Sequence, residues 1–171
     1  HRDGHLVWTE AASRVLFDAD VRFAGMQGSS REIIERRQAQ KTIQQLAFYD
    51  PLTGLPNRRF LVERLQLAIT NSARSRRHGG LLFIDLDNFK HLNDSRGHHV
   101  GDMLLRMVAT RLKDCVRACD CVARLGGDEF VVILEDLSLL PEEARLQAER
   151  LGEKIIAALN EPYLLDQWEH H

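Results

Sequence analysis

The stretch CVARLGGDEFVVIL, residues 121–134, decides the fold. Its two apolar runs, 121–125 and 130–134, are separated only by Gly126-Gly127-Asp128-Glu129, a spacing that predicts a tight antiparallel hairpin. A further apolar run, LLFIDLD at 81–87, reads as a buried strand whose last residues turn acidic. Outward from these, Asn57 is placed to cap a helix whose apolar stripe runs Leu61, Leu65, Ala68, the segment ending at Gly79-Gly80. A long helix is expected around 99–116, with Val100, Leu104, Val108 and Leu112 on one face. Pro141 opens another, with Glu142 and Glu143 in its first turn and Ala144, Ala148, Leu151, Ile155 and Leu159 toward the core. The order helix, strand, helix, hairpin, helix predicts an α/β (α+β) domain, a mostly antiparallel sheet flanked by helices. Only three strands are read after residue 80, so the sheet is expected to be incomplete at its C-terminal end.

The N-terminal part reads differently. Residues 5–17 and 21–28 alternate apolar with polar positions around the turn Asp18-Ala19-Asp20, which predicts a β-hairpin. Two strands alone cannot bury a core, so their partners are expected upstream. Ser29-Ser30 offers a helix N-cap with Glu32 in the first turn, and the following stretch to Tyr49 is rich in Gln, Arg and Glu. A solvated linker helix and a dimeric coiled coil both stand open there, since Arg36 and Gln40 would occupy seam positions. The prolines and glycine of Asp50-Pro51-Leu52-Thr53-Gly54-Leu55-Pro56-Asn57 break that helix and set a domain boundary at 48–50.

Composition narrows the function. The 171 residues carry 23 Lys and Arg against 25 Asp and Glu, a net charge of −2, which argues against a protein that coats nucleic acid. Hydrophobic residues at 44% and charged residues at 28% exclude a chain disordered throughout. No apolar run approaches the ~18 residues of a membrane span. Cys115, Cys119 and Cys121 are an odd number that cannot all pair, which fits a reducing, cytoplasmic setting, and small buried side chains explain them better than a metal site does. The chain opens at His1 without a charged-then-apolar leader and reads as a fragment.

The acidic residues carry the chemistry. Asp85 and Asp87 close one apolar strand, and Asp128 and Glu129 sit at the tip of an apolar hairpin. With the hairpin beside the strand, carboxylates remote in sequence meet at one sheet edge, and a cation is the simplest relief of their repulsion. Carboxylates without Cys or His favour a hard ion such as Mg²⁺, which shares its remaining positions with phosphate and water. Gly126 and Gly127 would let the backbone approach phosphate, although Gly-Gly-Asp is also an ordinary turn composition. Asn93 and Asp102 supply an amide and a carboxylate, the pair that could read a guanine edge, and either could equally be a structural cap. Lys90 is a candidate phosphate contact, while His98 and His99 are read as loop or helix-start residues.

Arg124-Leu125-Gly126-Gly127-Asp128-Glu129-Phe130 resembles the signature of the GGDEF family, the bacterial diguanylate cyclases. DPLTGLPNR (50–58), FIDLDNFKHLND (83–94) and GHHVGD (97–102) resemble its other motifs in the same order. The resemblance implies a palm or nucleotidyl-cyclase-like fold and the condensation of two GTP into cyclic di-GMP with release of two pyrophosphates. It implies Mg²⁺ or Mn²⁺ at Asp85, Asp128 and Glu129 with help from the Leu86 carbonyl, and catalytic roles for Asp128 and Glu129. Asn93 and Asp102 match the guanine-reading pair, and Phe89, Lys90, Gly126 and Gly127 match phosphate and substrate contacts. Arg117 and Asp120 match an RxxD inhibitory product site for cyclic di-GMP, with Arg150 as a secondary arginine.

By the same resemblance, 1–30 are the last strands of a PAS-like sensor domain, 31–49 a signalling helix and 50–171 the GGDEF domain. Partners would be GTP, cyclic di-GMP and a second copy meeting through the helix and facing half-sites, with no nucleic acid and no membrane segment in this stretch. The family continues with an S-x-G strand and a helix bearing a Lys and an Arg. The sequence stops at Trp168-Glu169-His170-His171, so weaker nucleotide binding is expected of this chain alone. The alternative is a non-catalytic GTP- or cyclic di-GMP-binding regulatory module, including one in a composite protein with a downstream EAL phosphodiesterase domain.

Overall fold

A computed structural model describes residues 9–32, 42–43, 45–165 and 168–170. The chain forms two compact units, 1–45 and 46–171.

The smaller unit contains a hairpin of β1 (Thr9–Phe17) and β2 (Phe23–Glu32), antiparallel with Thr9 opposite Glu32. Asp18 shapes its turn: Oδ1 accepts from the amides of Asp20 (3.0 Å) and Arg22 (2.9 Å), while Val21 takes a positive φ of 61°. The hairpin is longer than its apolar pattern suggested. Ser29 and Ser30 pair with Ala12 and Ala11 inside the ladder, so they do not cap a helix. The ladder pairs the inward-facing backbone groups of both strands as far as Glu32 and outweighs the local capping preference of serine. Most of the expected linker helix, 33–41 and residue 44, lies outside the described residues.

The larger unit begins with helical residues 46–48 and the Asp50–Asn57 turn. Asn57 then caps α1 (Arg58–Ser75), its Oδ1 accepting from the amides of Arg59 and Phe60. The elements that follow are β3 (Gly80–Ile84), α2 (Phe89–Arg96), α3 (His98–Cys115), β4 (Cys121–Gly126), β5 (Glu129–Leu134) and α4 (Pro141–Leu159). The sheet order is β3-β5-β4, antiparallel throughout.

The period-two alternation of β4 and β5 divides the core between the two faces of the sheet. Val122, Phe130, Val132 and Leu134 face α3 and α4, where Leu104, Val108, Leu112 and Ile155 complete the main cluster. Cys121, Ala123, Val131 and Ile133 face α1 and meet Leu61. Cys115 is also buried, whereas Cys119 is exposed and departs from the expected burial of the three thiols.

The run 81–87 differs from its reading as a buried strand. β3 stops at Ile84, which is opposite Phe130 and is its last residue paired with β5. β3 has a single neighbour in the described sheet, and Leu81 and Phe83 are 38% and 73% exposed. A second difference lies at the C-terminal end. β6 (Tyr163–Leu165) pairs with β7 (Trp168–His170), so two strands follow the three that were expected, in a separate sheet. Buried Tyr163 and Leu165 anchor β6 to the main core.

Candidate nucleotide and metal site

The signature residues occupy the β4–β5 turn. Gly126 pairs with Glu129, and Gly127, at φ 54°, takes a left-handed conformation that glycine adopts without steric cost. Ile84 is opposite Phe130, so one step along the register places Asp85 beside Glu129, with Asp128 next in the turn. Asp128 is half-buried, whereas Glu129, Asp85 and Asp87 are exposed. From Asp85 and Asp87 a groove of about 600 Å³ runs between β3 and the helices α3 and α4, floored by Leu104, Val108 and Ile155.

Among the described residues, no three His, Cys, Asp or Glu side chains converge as a metal-holding group. The three-carboxylate set expected from Asp85, Asp128 and Glu129 is therefore not a ready-made cage. Asp85, Asp128 and the Leu86 carbonyl offer only oxygen as ligands. Such a set fits a hard divalent ion that keeps several positions for phosphate and water. The Leu86 carbonyl accepts a long 3.3 Å bond from the Phe89 amide and retains a second lone pair.

Two residues that sequence reasoning did not assign support the turn. The Arg124 guanidinium donates from Nε (3.0 Å) and Nη2 (2.6 Å) to the Gly127 carbonyl and from Nη1 (2.9 Å) to Asp50 Oδ1. Its backbone amide donates to Pro56 O at 2.9 Å. The residue next to Asp128 is thus tied to the Asp50–Asn57 turn at the start of the unit. Burial pushes the Asp50 carboxyl upward, but hydrogen bonds from Thr53 and Arg124 outweigh this and hold it below its ordinary value. A DPLTG turn and an arginine just before a Gly-Gly pair were the available signals; only folding shows that they meet.

Asn93 on α2 and Asp102 on α3 are both half-buried. The helices are joined through Gly97, whose amide donates to Asn93 O at 2.8 Å. Lys90 is exposed, and Phe89 packs against the main core. His98 and His99 are the first residues of α3, as expected.

Arg117 and Asp120 form a closed turn in which the Arg117 amide donates to Asp120 Oδ2 (3.0 Å) and the Glu135 amide to Asp120 Oδ1 (3.2 Å). Arg117, Asp120 and Arg150 line one groove of about 460 Å³, together with Gln147 and Lys154.

An antiparallel sheet with helices on both faces, bearing a Gly-Gly-Asp-Glu turn beside an acidic strand end, defines a GGDEF-type domain. The family described as "Diguanylate cyclase, GGDEF domain" matches residues 47–170, and the chain belongs to that family. It is 44% identical over 131 residues to the bifunctional diguanylate cyclase/cyclic di-GMP phosphodiesterase MucR of Pseudomonas aeruginosa, a match covering 77% of this chain and 18% of MucR. The solved GGDEF domain of TpbB from the same species superposes with a TM-score of 0.67 at 40% identity, covering 71% of this chain and 69% of that one. DgcB of Caulobacter crescentus, solved as coiled coil and GGDEF domain with c-di-GMP, gives a TM-score of 0.61 at 28% identity over 71% of this chain and 61% of that one. The matched stretch is therefore a small part of the curated relative's length. No helix among the described residues is long and apolar enough to cross a membrane.

Proposed function

We propose that the chain acts as a diguanylate cyclase domain. In each half-reaction the 3′-hydroxyl oxygen of one GTP forms a bond to the α-phosphorus of the other. The bond to the leaving pyrophosphate breaks, and two such steps close the ring of cyclic di-GMP. Asp128 accepts the hydroxyl proton, and Asn93 and Asp102 orient the guanine. Lys90, the Phe89 backbone and the glycines 126 and 127 face the phosphates. Asp85, Asp128 and the Leu86 carbonyl would hold Mg²⁺ or Mn²⁺, which when bound offsets the charge of the phosphates. Glu129 would stand close to that ion.

Each site holds one nucleotide, so two copies face each other, and proximity replaces a bimolecular encounter. Residues 1–32 serve as the end of a PAS-like sensor and 33–48 as the signalling helix, with the domain working in the cytoplasm where GTP is supplied. The observation that supports this reading best is the register bringing Asp85 alongside the signature turn in a chain of this family. Asp128→Asn is expected to abolish cyclic di-GMP and pyrophosphate formation from GTP with Mg²⁺, with an unchanged circular dichroism spectrum. Turnover persisting in that variant overturns the assignment. A second reading, a regulatory module that binds cyclic di-GMP without making it, is favoured by the groove around Arg117, Asp120 and Arg150. Binding of cyclic di-GMP with no pyrophosphate released by the wild-type chain would select it.

A further inference from the structure

Gly101 lies at the end of the first turn of α3 in ordinary helical backbone, where glycine is the poorest choice short of proline. Conformation therefore does not explain it; space does. A Cβ at this position would stand 2.0 Å from Asn93 Oδ1, 2.9 Å from Asn93 Cγ and 3.2 Å from Phe89 Cζ. At none of the other glycines whose surroundings are described would a Cβ come within 3.0 Å of a neighbour. The Asn93 amide lies against the buried backbone of α3, in the place a side chain would fill, with the Phe89 ring edge beside it. The residue after Gly101 is Asp102, so the missing side chain brings the amide close to the turn of helix that carries the carboxylate.

We propose that Gly101 is a specificity-determining position: its bare backbone seats the Asn93 amide next to Asp102, so that the pair accepts guanine and discriminates against adenine. This rests on reading Asn93 and Asp102 as the base-recognition pair. The chemistry is complementary. The amide can donate to guanine O6 and the carboxylate can accept from N1–H and the 2-amino group, whereas adenine offers a donor where guanine has O6 and lacks the N1 proton. A methyl group at 101 displaces the amide and removes the discrimination without touching the nucleotide.

The test is titration calorimetry of the 171-residue chain with GTP and with ATP in Mg²⁺, on wild type, Gly101→Ala, Asn93→Ala and the double variant. Wild type is expected to prefer GTP. Gly101→Ala is expected to weaken GTP at least about tenfold, leaving ATP unchanged, and the double variant to be no worse than Asn93→Ala alone. Melting gives an independent readout. Gly101→Ala lowers Tm while Asn93 is present and raises it once Asn93→Ala has removed the obstruction, because alanine is then the better helix residue.

A wild-type GTP/ATP ratio in Gly101→Ala, or additive losses in the double variant, overturns the inference alone. A wild-type chain that does not distinguish GTP from ATP overturns the base-pair reading and the inference together. Should Gly101→Ala not fold, recovery of the fold in the double variant supports the obstruction, and continued failure overturns it.

Discussion

Asp50 Oδ1 accepts from the Thr53 amide (2.9 Å), the Thr53 hydroxyl (2.6 Å) and Arg124 Nη1 (2.9 Å), and all of these favour the charged carboxylate. A carboxyl held below its ordinary value of 3.8 stabilises the fold above that pH and loses its contribution as pH falls through the depressed folded value. Asp50→Asn is therefore expected to lower stability by about 1–3 kcal/mol at neutral pH. The loss shrinks below about pH 4, where the unfolded carboxyl protonates. Melting curves of both proteins between neutral and acid pH check this, and parallel curves down to low pH contradict it. Asp50 and Asp128 were both visible as acidic residues in loops. Only Asp128 was given a role from the sequence, by its place in the Gly-Gly-Asp-Glu turn. The partner of Asp50 is Arg124, far along the chain, and no local pattern announces it.

The helices α1, α3 and α4 were legible because their signals are local, whereas the short α2 was not expected. The Asn57 cap, the Leu61, Leu65, Ala68 stripe and Pro141 with its acidic first turn all appear where expected. Where a neighbouring element decides, the sequence was less informative: Ser29 and Ser30 joined a ladder, and LLFIDLD lost its last residues from the strand. The end of α4 belongs to the same group. Arg111 of α3 donates from Nη1 to the carbonyls of Ala158 (3.0 Å) and Glu161 (2.5 Å) and from Nη2 to Pro162 O (2.6 Å). Its guanidinium lies 3.7 Å from the centroid of the Tyr163 ring. One arginine thus binds the Ala158 carbonyl at the helix end and two carbonyls of the loop beyond it, and fastens β6 to α3. Arg111→Ala is expected to destabilise the unit by about 1–3 kcal/mol. Hydrogen exchange should accelerate mainly across 158–165, and a uniform change over all of α3 would contradict the local clasp.

Across the whole larger unit, the groove of Arg117, Asp120 and Arg150 is assembled from the turn after α3, the end of β5 and the middle of α4. Under the product-site proposal, Arg117→Ala should weaken cyclic di-GMP binding about tenfold or more, a loss of about 1.4 kcal/mol. It should also relieve inhibition by product, and unchanged affinity in calorimetry removes the proposal. Arg150 stands 33 positions after Arg117 in the chain, so its membership of this groove was an expectation drawn from resemblance alone. By itself the sequence determined α1, α3 and α4, the β4–β5 hairpin, the acidic turn and the family, because apolar period, capping and turn chemistry act over a few residues. Only the tertiary structure decided that β3 stands at a sheet edge, that Arg124 binds Asp50 to the signature turn, and that Gly101 makes room for Asn93. Each of these depends on which distant backbone comes within a few ångströms, and that is set by how the two faces of the sheet bury their side chains.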